Sequence, residues 1–184
     1  MTRIREVGTL WIGGPLSWME QVCLKSFVDQ GQRITLFSYD EIPNVPAGVI
    51  RRDGREIIDT DDFIKYEAKN SFALFADLFR LHMIAKCPGM IWIDTDVYCH
   101  QVMSYQSDYV MGFELPGEHR VNNAILGLPA NCEMLGQMLE FTSDRYSIAP
   151  FLPRGRQDRM RKARDAGKPV HVSQQPWGVW GPLM

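Results

Sequence analysis

The most constraining stretch of this chain is Met90-Ile91-Trp92-Ile93, four apolar residues placed behind the breaker pair Pro88-Gly89 and ahead of Asp94-Thr95-Asp96. A short uninterrupted apolar run of this kind reads as a strand buried on both faces of a parallel sheet, and such a sheet needs helices over both faces. An α/β architecture follows. The two carboxylates then emerge at the carboxyl end of the strand, where open α/β sheets bind their ligands. Two hard oxygen ligands fixed there suit Mg²⁺ or Mn²⁺ carrying a substrate phosphate.

The same tetrapeptide, Ile-Asp-Thr-Asp, also stands at Ile58 to Asp61. About one Asp-x-Asp pair is expected by chance in a chain this rich in Asp, so the pattern alone proves nothing. The first copy lies in a polar run in which Asp59, Asp61 and Asp62 read as a solvated loop or as the cap of a following helix. Only the second copy has a buried strand behind it.

The rest of the chain alternates in the same sense. Val7 to Gly13 reads as a first strand, stopped by Gly13-Gly14-Pro15. Ser17 with Glu20 forms a capping-box pattern for a helix ending at Gly31, and Arg33 to Ser38 is a second strand. Strand, helix, strand at this spacing is the βαβ unit of a doubly wound sheet. From Tyr39 to Asp62 the prolines and glycines predict an excursion with at most one short strand near Val49-Ile50. Tyr109 to Phe113 and Ala124 to Leu128 are further strands around a polar turn from Glu114 to Asn123. A helix follows from about Asn131.

Ser71 to Lys86 is apolar on every face, the mark of a helix buried nearly all round. It nevertheless carries Asp77 and Arg80. Charges are rarely buried unpaired, and a spacing of three puts these two side by side. They either satisfy one another in a salt bridge or protrude into a polar cleft beside Asp94; the spacing leaves both open.

At 184 residues, 45% hydrophobic and 23% charged, the chain has material for one substantial core, and residues 1–184 read as a single domain. A formal net charge of −2 with mixed signs argues against a general nucleic-acid binder. The basic block from Arg154 to Arg164 is either a solvated face or a contact for an anionic acceptor or membrane surface. Cys23, Cys87, Cys99 and Cys132 show no zinc spacing and read as free, mostly buried thiols, and His100 and His119 lack partners at fixed spacing. No signal-peptide core and no apolar run of membrane-spanning length is present, which points to the cytoplasm. Trp177 and Trp180 lie in a glycine-rich final segment that needs something to pack on, an expectation that the parent polypeptide is longer.

Four landmarks coincide in order: Trp11-Ile12-Gly13-Gly14 at the first strand, Asp77-x-x-Arg80 on a buried helix, Pro88-Gly89, and Asp94-Thr95-Asp96. Together they resemble the DXD-containing retaining glycosyltransferases of family 32 and, more distantly, the glucosyltransferase domains of large clostridial toxins, over about Leu10 to Leu128. The resemblance implies a GT-A fold, a Rossmann-like doubly wound mixed sheet flanked by helices and here shortened at its C-terminal part. It implies a nucleotide-sugar donor, commonly a UDP-sugar, with Mn²⁺ or Mg²⁺, and a carbohydrate, lipid or protein acceptor. On that pattern Trp11 packs on the nucleobase and the backbone of Leu10 and Ile12 reads its edge. Asp77 and Arg80 contact the donor sugar and its surroundings. Asp94, followed by Thr95, meets ribose or metal-bound water, and Asp96 is the direct metal ligand. Asn122 or Asn123 lies near the transferred sugar, with Asn123 grouped with the catalytic Asp94 and Asp96. The sequence supplies no convincing carboxylate nucleophile for retention beyond the weak candidate Glu114.

Two competing readings stand. A phosphohydrolase of the haloacid dehalogenase kind also places Asp-x-Asp after an apolar strand, with Asp94 as nucleophile and Asp96 as acid; its motif usually opens the chain, unlike here. The other is a nucleotide-sugar-binding module without catalysis.

Overall fold

The computed structural model describes residues 3–115, 117 and 120–184. His119 lies outside the described residues.

Strands β1 (Arg3–Ile4), β2 (Val7–Trp11), β3 (Ile34–Ser38), β4 (Ile50–Asp53), β5 (Ile91–Ile93), β6 (Ser104–Tyr105), β7 (Val110–Phe113) and β8 (Val121–Gly127) alternate with helices α1 (Trp18–Asp29), α2 (Ala73–Lys86), α3 (Glu133–Ser143) and α4 (Arg154–Asp165). Six strands form one sheet in the order β4-β3-β2-β5-β8-β7. The first four run parallel, and β8 is antiparallel to both β5 and β7. This is the expected doubly wound mixed α/β sheet flanked by helices. A small antiparallel pair, β1 with β6, stands apart.

Period-two alternation divides the interior in two. Val7, Ile34, Leu36, Ile91 and Ile93 face a core that includes Leu24 and Phe27 of α1. Leu10, Phe37 and Trp92 face the opposite core with α2, and with Leu135 and Met160 of α3 and α4. Gly8 lets α2 press close: a Cβ there would lie 2.6 Å from the sulfurs of both Met83 and Met90.

The local signals act as their chemistry requires. Ser17 accepts from Met19 N while Glu20 accepts from Ser17 N, the capping box that starts α1, and Gly31 takes φ +74° beyond its end. The first strand stops at Trp11, and α2 starts two residues after Ser71, whose hydroxyl accepts from Ala73 N. The predicted short strand near Ile50 is β4, pairing with β3.

One expectation is corrected. Asn122 and Asn123 belong to strand β8, not to a polar turn ahead of it, because β7 pairs with β8 back to Val121 through an irregularity at Met111/Gly112. Cross-strand pairing overrides the turn preference of the two amides.

Candidate active site

Chain order fixes where a ligand belongs. From β2 the chain winds outward through β3 to β4, then returns to lay β5 on the other side of β2. The switch point thus lies between β2 and β5, and the crevice beyond their carboxyl ends is the expected binding position. A cavity of about 330 Å³ opens there. Thr9 and Leu10 of β2, Met19 and Glu20 of α1, Ala73, Ala76, Asp77 and Arg80 of α2, and Trp92 to Asp96 without Ile93 line it. Asn123 of β8 and Trp177 and Pro182 of the final segment complete the wall.

Arg80 is the hub. Its Nη2 donates to Asp94 Oδ1 at 3.0 Å and lies 3.3 Å from Asp77 Oδ1, and its Nη1 donates to the carbonyl of Asn123 at 2.9 Å. The guanidinium also sits 5.0 Å from the Trp92 ring centroid. Asp77 and Arg80 therefore pair, and both line the cleft beside Asp94. Asp94 Oδ1 takes a second bond from Trp92 Nε1 at 2.7 Å, and its backbone is tied to Ala124 and Val97. Its other oxygen has no hydrogen bond among the described residues. Asp96 is exposed at the cavity, with no hydrogen bond or ion pair among the described residues. The carboxylates of Asp96 and Glu20 add to burial in pushing the Cys23 thiol up.

Asp77 is only 6% exposed. Burial pushes its carboxyl up to about 6, Asp94 adds to the rise, and Arg80 opposes it. Part of that burial comes from the far end of the chain. Gly181 lies so close that a Cβ on it would fall 2.4 Å and 2.5 Å from the two Asp77 oxygens. Tyr66 Oη accepts from Gly178 N at 2.8 Å and Val179 N at 3.2 Å, and its ring packs on Trp177 with centroids 4.7 Å apart. The tryptophan-rich loop thus finds its support within this chain.

Other sequence candidates fall as follows. Trp11 and Ile12 flank the cavity without lining it; the indole Nε1 of Trp11 donates to Gly14 O at 2.9 Å. Asp61 pairs with Arg55 and Asp62 with Arg145 in an exposed loop, so the first Ile-Asp-Thr-Asp is the solvated one. Glu114 pairs with Arg120 and does not line the cavity. His100 is exposed, and Cys23, Cys87, Cys99 and Cys132 are free thiols, two of them buried. A groove of about 430 Å³ along β7, lined by residues such as Tyr105, Tyr109 and Phe113, carries neither carboxylate nor cation among the described residues.

Sequence reasoning missed Thr9, Glu20 and the final loop. Thr9 is fully buried and its hydroxyl lacks a hydrogen-bond partner among the described residues. Its even spacing in an apolar strand gave no hint of that.

The chemistry of the lining can be set against a divalent metal shared with substrate. Every polar group of the lining is an oxygen, amide, indole or guanidinium group, with no thiol or imidazole. Among the described residues no three His, Cys, Asp or Glu side chains gather where they could hold a metal ion. Mg²⁺ and Mn²⁺ held by one or two carboxylates plus phosphate oxygens do fit.

This fold has a solved counterpart among the glycosyltransferases. The structure titled "PaToxG Glycosyltransferase" superposes with a TM-score of 0.53 and 15% sequence identity. The match covers 79% of this chain, which spans 61% of the PaToxG chain. At that identity the similarity concerns the fold. No family model and no curated protein matches the chain. No helix among the described residues is long and apolar enough to cross a membrane.

Proposed function

We propose that this chain is a metal-dependent glycosyltransferase of the family 32 type, moving a hexose from a nucleotide-sugar, commonly a UDP-sugar, to an acceptor hydroxyl with retention. The observation that carries the reading is the charge of the cavity. Four carboxyl groups, Glu20, Asp77, Asp94 and Asp96, face a single guanidinium at the sheet's switch point. An anionic diphosphate enters such a site only with a cation. The PaToxG fold, carried by a protein titled a glycosyltransferase, supports the same reading.

Asp96 and the unengaged oxygen of Asp94 would hold the cation. When bound, it neutralises the charge that grows on the leaving diphosphate while an oxocarbenium-like sugar forms. The chain's own residues do the positioning. Trp11, anchored on Gly14 O, packs on the base beside the carboxyl end of β2, where the backbone of Leu10 and Ile12 meets its edge. Arg80 and Asp77 orient the sugar and its surroundings, Thr95 lies between the acidic pair, and Asn123 stands near the transferred group. Retention by attack on the same face as the departing group needs no protein nucleophile, and Glu114 is not among the described residues that line the cavity. The exposed basic helix α4 supports peripheral contact with an anionic surface, and the free thiols accord with a reducing cytoplasm.

Calorimetry with UDP tests the reading. Binding strengthens with Mn²⁺, Asp96→Ala removes the metal dependence with at least a tenfold loss, and Asp61→Ala leaves both unchanged. UDP binding indifferent to metal would remove the role given to Asp96.

A further inference from the structure

A second cavity of about 300 Å³ meets the first at Arg80, Asn123 and Pro182, which line both. Its character is different. Away from that junction the wall is aliphatic and thioether, with Met111, Met134, Met138, Leu126 and Leu183 beside the indole of Trp180. Met134 and Leu183 are 40% and 42% exposed. Flexible, polarizable methionines fill and adapt to irregular apolar shapes, and they offer nothing to the hydroxyl groups of a bare sugar. A mostly apolar pocket with a few polar groups at one end is the usual form of a small-molecule site.

The polar end is built around Arg80 and Asn123. Arg80 is 4% exposed, and its two terminal nitrogens are engaged by Asp94 and by the Asn123 carbonyl. Its Nε–H has no acceptor among the described residues. Buried donors are rarely left so, because an unmade hydrogen bond forfeits the hydration given up on burial. Nε itself is closed off from the cavity, so what Arg80 and Asn123 offer a ligand is the polar wall where the two cavities join.

Resting on the glycosyl-transfer reading above, we infer that this second cavity holds the acceptor, and that the acceptor is a small amphiphile with its hydroxyl toward Arg80 and Asn123 and its aliphatic chain against Met111, Met134 and Met138. The shared residues place that hydroxyl where the two cavities join. In the transfer, the acceptor oxygen bonds to the anomeric carbon as the bond from that carbon to the phosphate oxygen breaks. The electron pair leaves with the diphosphate, and the hydroxyl proton passes to the departing phosphate oxygen. No protein base is consumed.

The test measures binding of octyl glucoside, kept below its micelle-forming concentration, and of methyl glucoside to the full chain with UDP and Mn²⁺ present. The two probes share a head group and differ in chain length. The octyl probe is expected to bind at least tenfold more tightly. Met134→Glu and Leu183→Glu, both at exposed positions, should each cost the octyl probe at least tenfold while UDP affinity stays within twofold, which also shows that the variants fold. Equal affinity for the two probes, or an octyl affinity unmoved by both substitutions, overturns the acceptor assignment while UDP binding stands. Absence of metal-dependent UDP binding in the native chain overturns the donor reading instead, and the acceptor role with it.

Discussion

Asp77 carries the most testable single-residue consequence. Its carboxyl, pushed up to about 6 chiefly by burial, binds a proton more tightly in the folded chain than in the unfolded one. The folded state therefore gains from this group at low pH and loses that gain as pH rises from about 4 through 6. The loss is about 3 kcal/mol once the group is fully ionised. Urea unfolding of the native chain and of Asp77→Asn at a series of pH values isolates this contribution. The stability difference should move in favour of the variant by about 2–3 kcal/mol between pH 4 and pH 7. A difference flat across that range would mean that Asp77 titrates as an ordinary carboxyl. The amide also has one oxygen fewer for Arg80, so a constant offset between the two proteins is expected beneath the pH-dependent part.

At the scale of elements, the contact between α2 and the final loop is the one most open to damage. Gly181 has no room for a side chain against Asp77, so Gly181→Ala must push loop and helix apart. Overpacking of this kind costs about 1–3 kcal/mol. Because Trp177 and Pro182 belong to the donor cavity, UDP affinity should fall in the same variant; unchanged stability and affinity would show that the loop yields freely. Much of this was open to a reader of the chain. The apolar run before Asp94, the all-round apolar helix carrying Asp77 and Arg80, and the Ser17–Glu20 cap are local patterns, and local patterns survive folding. The support for the tryptophan loop was not legible, because Tyr66 meets Gly178 and Val179 across most of the sequence and nothing beside Tyr66 announces it. Asn122 and Asn123 misled for the opposite reason: their local preference is for a turn, and a partner strand decided otherwise. Thr9 and the unpartnered Arg80 Nε became visible only once distant elements had closed over them.

At the scale of the whole molecule, a net charge of −2 says little, whereas its distribution says more: four carboxyl side chains line the crevice beyond β2 and β5. The fold shared with the PaToxG glycosyltransferase covers 79% of this chain. The cavity also joins segments far apart in the sequence, with Thr9 and Leu10 on one wall and Trp177 and Pro182 on another. A site assembled in this way has a kinetic life of its own. It exists only after the long stretch between these segments has closed, and lifting of residues 177–182 removes one of its walls. The amides of Gly178 and Val179, held by Tyr66 Oη, report that lifting directly through hydrogen exchange. A nucleotide present at about 100 times its Kd should slow their exchange by about a hundredfold if it rests against Trp177 and Pro182. Exchange that ignores the nucleotide would mean that the donor leaves this wall untouched. The closing segment is thus a gauge of occupancy, readable residue by residue without any turnover.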